Sequence, residues 1–298
     1  EQGKRISGFL ERKNIVITPQ RYLLDVLSQM AQAVFASLII GLIFKTIGEQ
    51  GQVLLGKHDV FIYLVNIGAF AMKLVGPAIG VAVAWALEAP PLVLFTSIVT
   101  GALGANVGGE AAALISSLIG AEFGKMVFKE TKVDILVTPG VTILAGSVAA
   151  TFAGPLAKAL MTGIGTVIMQ ATELQPFFMG IIVSIIVGLV LTSPLSSAAL
   201  CIMLKLSGIS AGAAAIGCCV QMVGFATISY RDCKMSGVMA MGLGSSMFQV
   251  PNIIKNPWIL LPTVLSSAII APIGTCIFKM TNTPAGAGMG LSLIHISE

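Results

Sequence analysis

Charge is what this chain has least of. Its 298 residues include 17 Lys and Arg and 13 Asp and Glu, 10% in all. Soluble domains carry about 25%, so an ordinary water-facing surface is excluded. Histidine is nearly absent: His58 lies in a polar loop beside Lys57, and His295 sits close to the end. The five cysteines (Cys201, Cys218, Cys219, Cys233 and Cys276) show no CxxC spacing, which argues against a zinc site. Four of them fall in apolar runs, where a thiol behaves as a small hydrophobe. Cys233 alone stands among charged residues, Arg231, Asp232 and Lys234. Walker, GxSxG and HExxH patterns are all missing, so the motifs call for no cofactor, metal or soluble-enzyme chemistry.

What is present is apolar length. Hydrophobic residues make up 56% of the chain, and the mean hydropathy is +0.95. Uncharged runs cover 26–44, 89–109, 135–157, 174–204, 206–230 and 256–278. About 20 apolar residues let a helix cross a bilayer. The expected class is an all-α polytopic membrane protein with eight to ten transmembrane helices and two or three broken or re-entrant segments. The net charge of +4 is spread over short segments between runs, which points to no nucleic-acid partner. Basic residues favour the cytoplasmic side. Lys4, Arg5, Arg12, Lys13 and Arg21 therefore predict a cytoplasmic N-terminal side. Lys125, Lys129 and Lys132 predict a second cytoplasmic segment, and Arg231 with Lys234 a third. The first apolar run starts late and lacks a small-residue cleavage pattern, so no cleavable signal is expected. The organisation predicted is an entry segment at 1–21, a membrane domain at 22–285, and a loop with a foreign-looking tail at 286–298.

Along the chain, a first span at 22–47 carries Asp25, Gln29 and Gln32 on one helical face. A second stretch, 60–87, is interrupted by Lys73 and Pro77 and ended by Pro90 and Pro91. The third, 92–103, is short and runs into a break at 101–110 holding four glycines, Asn106 and Glu110. Such a break suits either close helix packing or a re-entrant ligand loop. A helix with Glu122 and Lys125 follows. Then come a span at 135–154 and an amphipathic segment at 156–170, which either crosses or lies in the interface. A span at 176–191 stops at Thr192-Ser193-Pro194-Leu195-Ser196-Ser197. Residues 207–230 form another span, 237–250 is too short for one, and 257–278 is the last. The breaks at 101–110 and 242–252 are alike, and paired interruptions point to a transporter site. The candidate pocket joins Asn106 and Glu110, then Ser193, Ser196 and Ser197, then Ser245, Ser246, Gln249 and Asn252, with Thr138 and Thr142 in support. Neutral donors and acceptors of this kind suit an uncharged, hydroxyl-rich ligand.

The stretch Asp134-Ile135-Leu136-Val137-Thr138-Pro139-Gly140-Val141-Thr142, with Gly154-Pro155, resembles the segment before the sugar-site helices of enzyme IIC permeases of the sugar phosphotransferase system. Val75-Gly76-Pro77-Ala78-Ile79-Gly80 through Glu88-Ala89-Pro90 is similar to a motif of the fructose-type branch. Thr192 to Ala199 resembles that branch's Gly-Gly-Pro-x-Asn-Lys-Ala-Ala element. The layout from Gly242 to Pro251, then Asn256-Pro257, resembles its Ile-Thr-Glu-Gly-x-x-Pro segment. The entry Ile17-Thr18-Pro19-Gln20-Arg21-Tyr22 is similar to the IIC-like subfamily that includes the perfringolysin O regulator. The resemblance covers about residues 10–285.

It implies a homodimeric permease of the bacterial plasma membrane that binds and translocates a sugar or polyol, with separate IIA and IIB phosphocarrier proteins as partners. Two departures stand out. The family's glutamate is missing from Ser245-Ser246-Met247-Phe248-Gln249, and its Asn-Lys pair is replaced by Ser196-Ser197. No phosphoryl-accepting histidine or cysteine is evident. The alternative is a membrane sensor that keeps the fold without transporting. An ion-coupled carrier would instead place Lys73, Glu110 or Glu122 on its pathway.

Overall fold

A computed structural model describes residues 9–56 and 58–291, which are helical with no strand among them. Lys4, Arg5, Lys57 and the tail at 292–298, with His295, lie outside the described residues. The chain divides into two compact units, 1–158 and 159–298, the boundary falling within one long helix.

In the first unit, α1 (Gln20–Leu55) pairs antiparallel with α2 (Asp59–Lys73). Gly41 of α1 meets the backbone of Gly68, and Gly48 meets that of Phe61, so small residues set the helices in close contact. After a 48° bend at Leu74 comes α3 (Val75–Ala86). Lys73 ends α2 and Pro77 sits in the first turn of α3, where its missing N–H costs nothing. The interruption expected there is thus a real bend.

Next is α4 (Pro91–Val127), which is not one straight rod. Gly108 and Gly109 leave helical geometry, and Gly109 has φ +72° and ψ −158°, a region open only to glycine. Ser116 Oγ donates to the Thr100 carbonyl at 2.9 Å, although 16 residues of straight helix would span about 24 Å. The element is therefore a hairpin whose arms, 91–107 and 110–127, run antiparallel. Its outer arm packs on α3 through Gly76, Gly80 and Gly101.

The helix α5 (Asp134–Thr172) contains Pro139 and Pro155. Its beginning lies along the second arm of α4, with Gly146 near Thr100 and Ser116, and Gly154 near Val107. Residues 135–154 and 156–170 thus belong to one helix rather than two. By length and composition, five helical stretches among the described residues could cross a membrane, with α4 and the 208–242 stretch each counted whole, six with the bent α2–α3 pair, and α6 (Pro176–Thr192) is a shorter apolar helix. Residues 193–207, 235–256 and 279–291 fold into short helices and turns.

The second unit contains α6, the short α7 (Ser197–Met203), α8 (Gly208–Met239), α9 (Val250–Lys255), α10 (Pro257–Ile277) and the single turn α11 (Pro284–Ala287). Its core is Ile168, Val183, Val187, Leu200, Cys201, Ala214 and their neighbours, all buried. At Lys234 the backbone of α8 turns left-handed (φ 51°, ψ −143°) and the chain reverses. Ser229 and Met241, 12 residues apart, touch at 3.1 Å across that turn. The returning arm ends at Gly244, Ser245 is extended, and a 3-10 turn (Ser246–Gln249) leads into α9. The short glycine-rich segment after Arg231–Lys234 is thus the returning arm of the α8 reversal, and the chain turns again at Ser245, bringing Gln249 back onto Met241 and making Ser245 the tip of a second hairpin that leads into α9. α10 runs antiparallel to α8, with Gly224 at Thr263 and Ile216 at Gly274.

One end of the first unit collects several of its charges. Lys13 donates to the Phe128 carbonyl at 2.6 Å and pairs with Glu130. Arg21 pairs with Glu88 at 3.2 Å, and Asn14 donates to the same carboxylate at 2.6 Å. The Asn14 hydrogen bond and the Arg21 charge hold the Glu88 carboxyl below the usual carboxylate range. Lys13 does the same for Glu130 by hydrogen bond and charge. The Lys13 end of the entry segment and the start of the 128–134 turn therefore share one end of the unit.

Candidate functional site

The second unit brings two of the predicted breaks together. Backbones meet first: Gly217 of α8 lies on the Ser184 carbonyl of α6, and Gly188 of α6 lies on the Gly217 carbonyl and the Gln221 stem. That approach places the end of α6 beside the hairpin tip. Thr192, the last residue of α6, shares a 3.0 Å hydrogen bond with Ser246, both fully or nearly buried.

Around this contact the predicted hydroxyls and amides take mostly local partners. Ser193 Oγ donates to the Val190 carbonyl at 2.7 Å and accepts from the Leu195 N–H. Ser196 caps α7 by accepting from the Ala199 N–H at 3.3 Å. Ser197 donates to the Gly288 carbonyl at 2.6 Å. Ser245 accepts from the Met247 N–H. Gln249 is buried and donates to Ser229 Oγ at 2.6 Å and to Met241 Sδ, while its carbonyl accepts from Asn252 at 2.9 Å. Asn252 itself is exposed. The interrupted backbone is thus satisfied by small polar side chains, as membrane depth demands. From residue 174 to residue 291 the only carboxylate is Asp232, at the hairpin turn. The layer formed by the two breaks is polar and uncharged.

The other four predicted residues belong to the first unit. Asn106 is exposed and Glu110 half-buried, on either side of the Gly108–Gly109 turn of α4. Thr138 and Thr142 are buried and satisfied within α5, through Asp134 at 2.7 Å and the Thr138 carbonyl at 2.8 Å. Thr142 packs on Gly124. Of the polar face on α1, Asp25 and Gln29 line a cavity of about 900 Å³ with Trp85, Glu88 and Phe95. Lys73 is exposed at the end of α2. Glu122 bonds Lys125 and Tyr22, both at 3.1 Å.

Sequence reasoning left one residue out of the pocket. Gln221 is completely buried, and neither its amide nitrogen nor its carbonyl oxygen has a partner. It is the only glutamine of the 206–230 run. A lone amide in a Gly/Ala-rich span was the available signal, but its position beside Gly188 and the Thr192 break exists only in the fold.

Among the described residues no group of three or more His, Cys, Asp or Glu could hold a metal ion. Neither the comparison with curated proteins nor that with solved structures finds a match. A family model described as phosphotransferase system, EIIC, matches residues 24–294. That match spans both hairpins and every break described above, and the chain belongs to the phosphotransferase system EIIC family.

Proposed function

We propose that this permease component binds a sugar or polyol at the neutral layer formed by the α6 break and the tip of the α8–α9 hairpin. The supporting observation is the Thr192–Ser246 contact, which gathers hydroxyls and amides in a part of the chain, 174–291, whose one carboxylate is Asp232. A cation would find no counter-charge there, whereas a hydroxyl-rich ligand finds donors and acceptors. Separate IIA and IIB proteins supply the phosphoryl group, and the subunit works as a homodimer.

The test is thermal stabilisation of the purified protein by a panel of sugars and polyols, since a ligand that binds only the folded state raises Tm. At least one member should stabilise. Asn252→Leu should then weaken that ligand by about 1 kcal/mol, the scale of one lost hydrogen bond, and lower the Tm of the free protein, because it also removes the donor to the buried Gln249 carbonyl. Stabilisation by no member of the panel defeats the ligand reading. Binding without uptake of the labelled sugar by cells making the protein with its phosphocarriers favours the sensor alternative, which the missing glutamate of the 245–249 stretch also favours.

The basic end of the first unit faces the cytoplasm in this reading. Cysteines placed at Glu11 and Lys129, both exposed, should resist an impermeant thiol reagent added to intact cells and react after lysis. Reaction of either in intact cells reverses the orientation.

A further inference from the structure

A fully buried amide without a partner is costly, at about 1–3 kcal/mol for each unsatisfied group. Gln221 leaves both of its groups in that condition. Close packing does not require glutamine here, because leucine or methionine would fill the volume without the penalty. The side chain is instead given room: Gly188 has no Cβ, and one would stand 2.9 Å from Gln221 Cγ. One turn further along α6, Thr192 closes against Ser246 of the hairpin tip at 3.0 Å. The turns of α8 one before and one after Gln221 are occupied differently. Cys218 donates to the Ala287 carbonyl at 3.7 Å, and Phe225 is buried against Ala226 and Met241. The neighbouring positions of α8 are thus engaged, and Gln221 alone holds unused hydrogen-bonding capacity.

We infer that Gln221 is a specificity-determining ligand contact of the second unit, covered in this conformation by a latch made of Thr192 and Ser246. Its carboxamide offers one acceptor and two donors, which matches adjacent hydroxyls of a neutral polyol better than a lone hydroxyl or a charged group. When the hairpin tip withdraws, the amide exchanges an unpaired state for contact with ligand or water. The inference rests on the proposed ligand reading for what is bound, but not for whether the latch opens.

Two measurements test it. In the first, Gln221→Cys is exposed to a small hydrophilic thiol reagent and modification at position 221 is followed by peptide mass spectrometry. Adding Thr192→Val, which removes the Ser246 partner at nearly constant volume, should speed labelling about tenfold. An unchanged rate overturns the latch whatever the ligand. In the second, Gln221→Met is compared with the native chain against the stabilising sugar or polyol. The variant should keep or raise the Tm of the free protein and lose at least tenfold in affinity. A lower Tm with affinity intact marks Gln221 as a structural residue and overturns the contact. If no panel member binds the native chain, the ligand reading fails by itself, while the labelling result still decides whether Gln221 is reached beneath the latch.

Discussion

Lys125→Met is expected to be among the most damaging single substitutions in the first unit, by about 3–5 kcal/mol, the cost of stranding a buried charge. Lys125 is 1% exposed, and its ammonium donates to Glu122 at 3.1 Å, to the Asn14 carbonyl at 3.0 Å and to the Leu87 carbonyl at 3.1 Å. Those bonds tie the entry segment, the α3–α4 turn and the end of α4 to a single atom. Methionine fills the volume but leaves the Glu122 carboxylate buried, and its Oε2 already lacks a partner. Adding Glu122→Gln should recover most of the loss, since the amide keeps the Tyr22 contact without the charge. Thermal unfolding in detergent reads both variants. A Lys125→Met protein within 0.5 kcal/mol of the parent, about the ordinary surface scale, would show that the pair does not hold this end together.

Gly217→Val should be comparably severe in the second unit. A Cβ on Gly217 overlaps the Ser184 carbonyl, its carbon and its Cα. The clash is with backbone, so no side-chain rotamer relieves it, and α6 must move away from α8. Overpacking of a core costs about 1–3 kcal/mol, and more where nothing gives. Separating the helices would also break Thr192 from Ser246, so ligand-induced stabilisation should disappear with the loss of Tm. Gly163 provides the control, because a Cβ there meets nothing within 4 Å. Gly163→Ala should be neutral or stabilising by about 0.5–1 kcal/mol, the helix preference for alanine over glycine. Equal Tm values for Gly217→Val and the parent would refute the close-contact account.

Much of the architecture was legible before folding. The apolar runs and scarce charge set the helical membrane class, because a bilayer admits only helices or closed barrels. Pro90 and Pro91 marked the stop before α4, and the cluster from Arg231 to Lys234 marked the turn where α8 reverses. The glycines and polar residues at 101–110 and 242–252 announced interruptions, and the structure shows a hairpin turn at Gly108–Gly109 and a hairpin tip at Ser245. Pro155 misled, since a proline inside a long helix removes one hydrogen bond without ending it when neighbouring contacts hold both sides. That single residue turned one helix into two in the sequence reading.

The composition and order of residues by themselves determined that this chain is a helical membrane protein with broken segments. Only the tertiary structure decided which polar groups were already satisfied. Ser196, Ser245 and Gln249 look equally available in the sequence, yet each is spent on a cap, a turn or a neighbouring side chain. Gln221 looks like one more residue of a span, yet both of its polar atoms are buried without a partner. Hydrogen bonds between residues 54 or 20 positions apart, as from Thr192 to Ser246 and from Gln249 to Ser229, depend on which helices pack together. Helix contact is set by the shape of small residues on both surfaces at once, a property no local stretch of sequence contains.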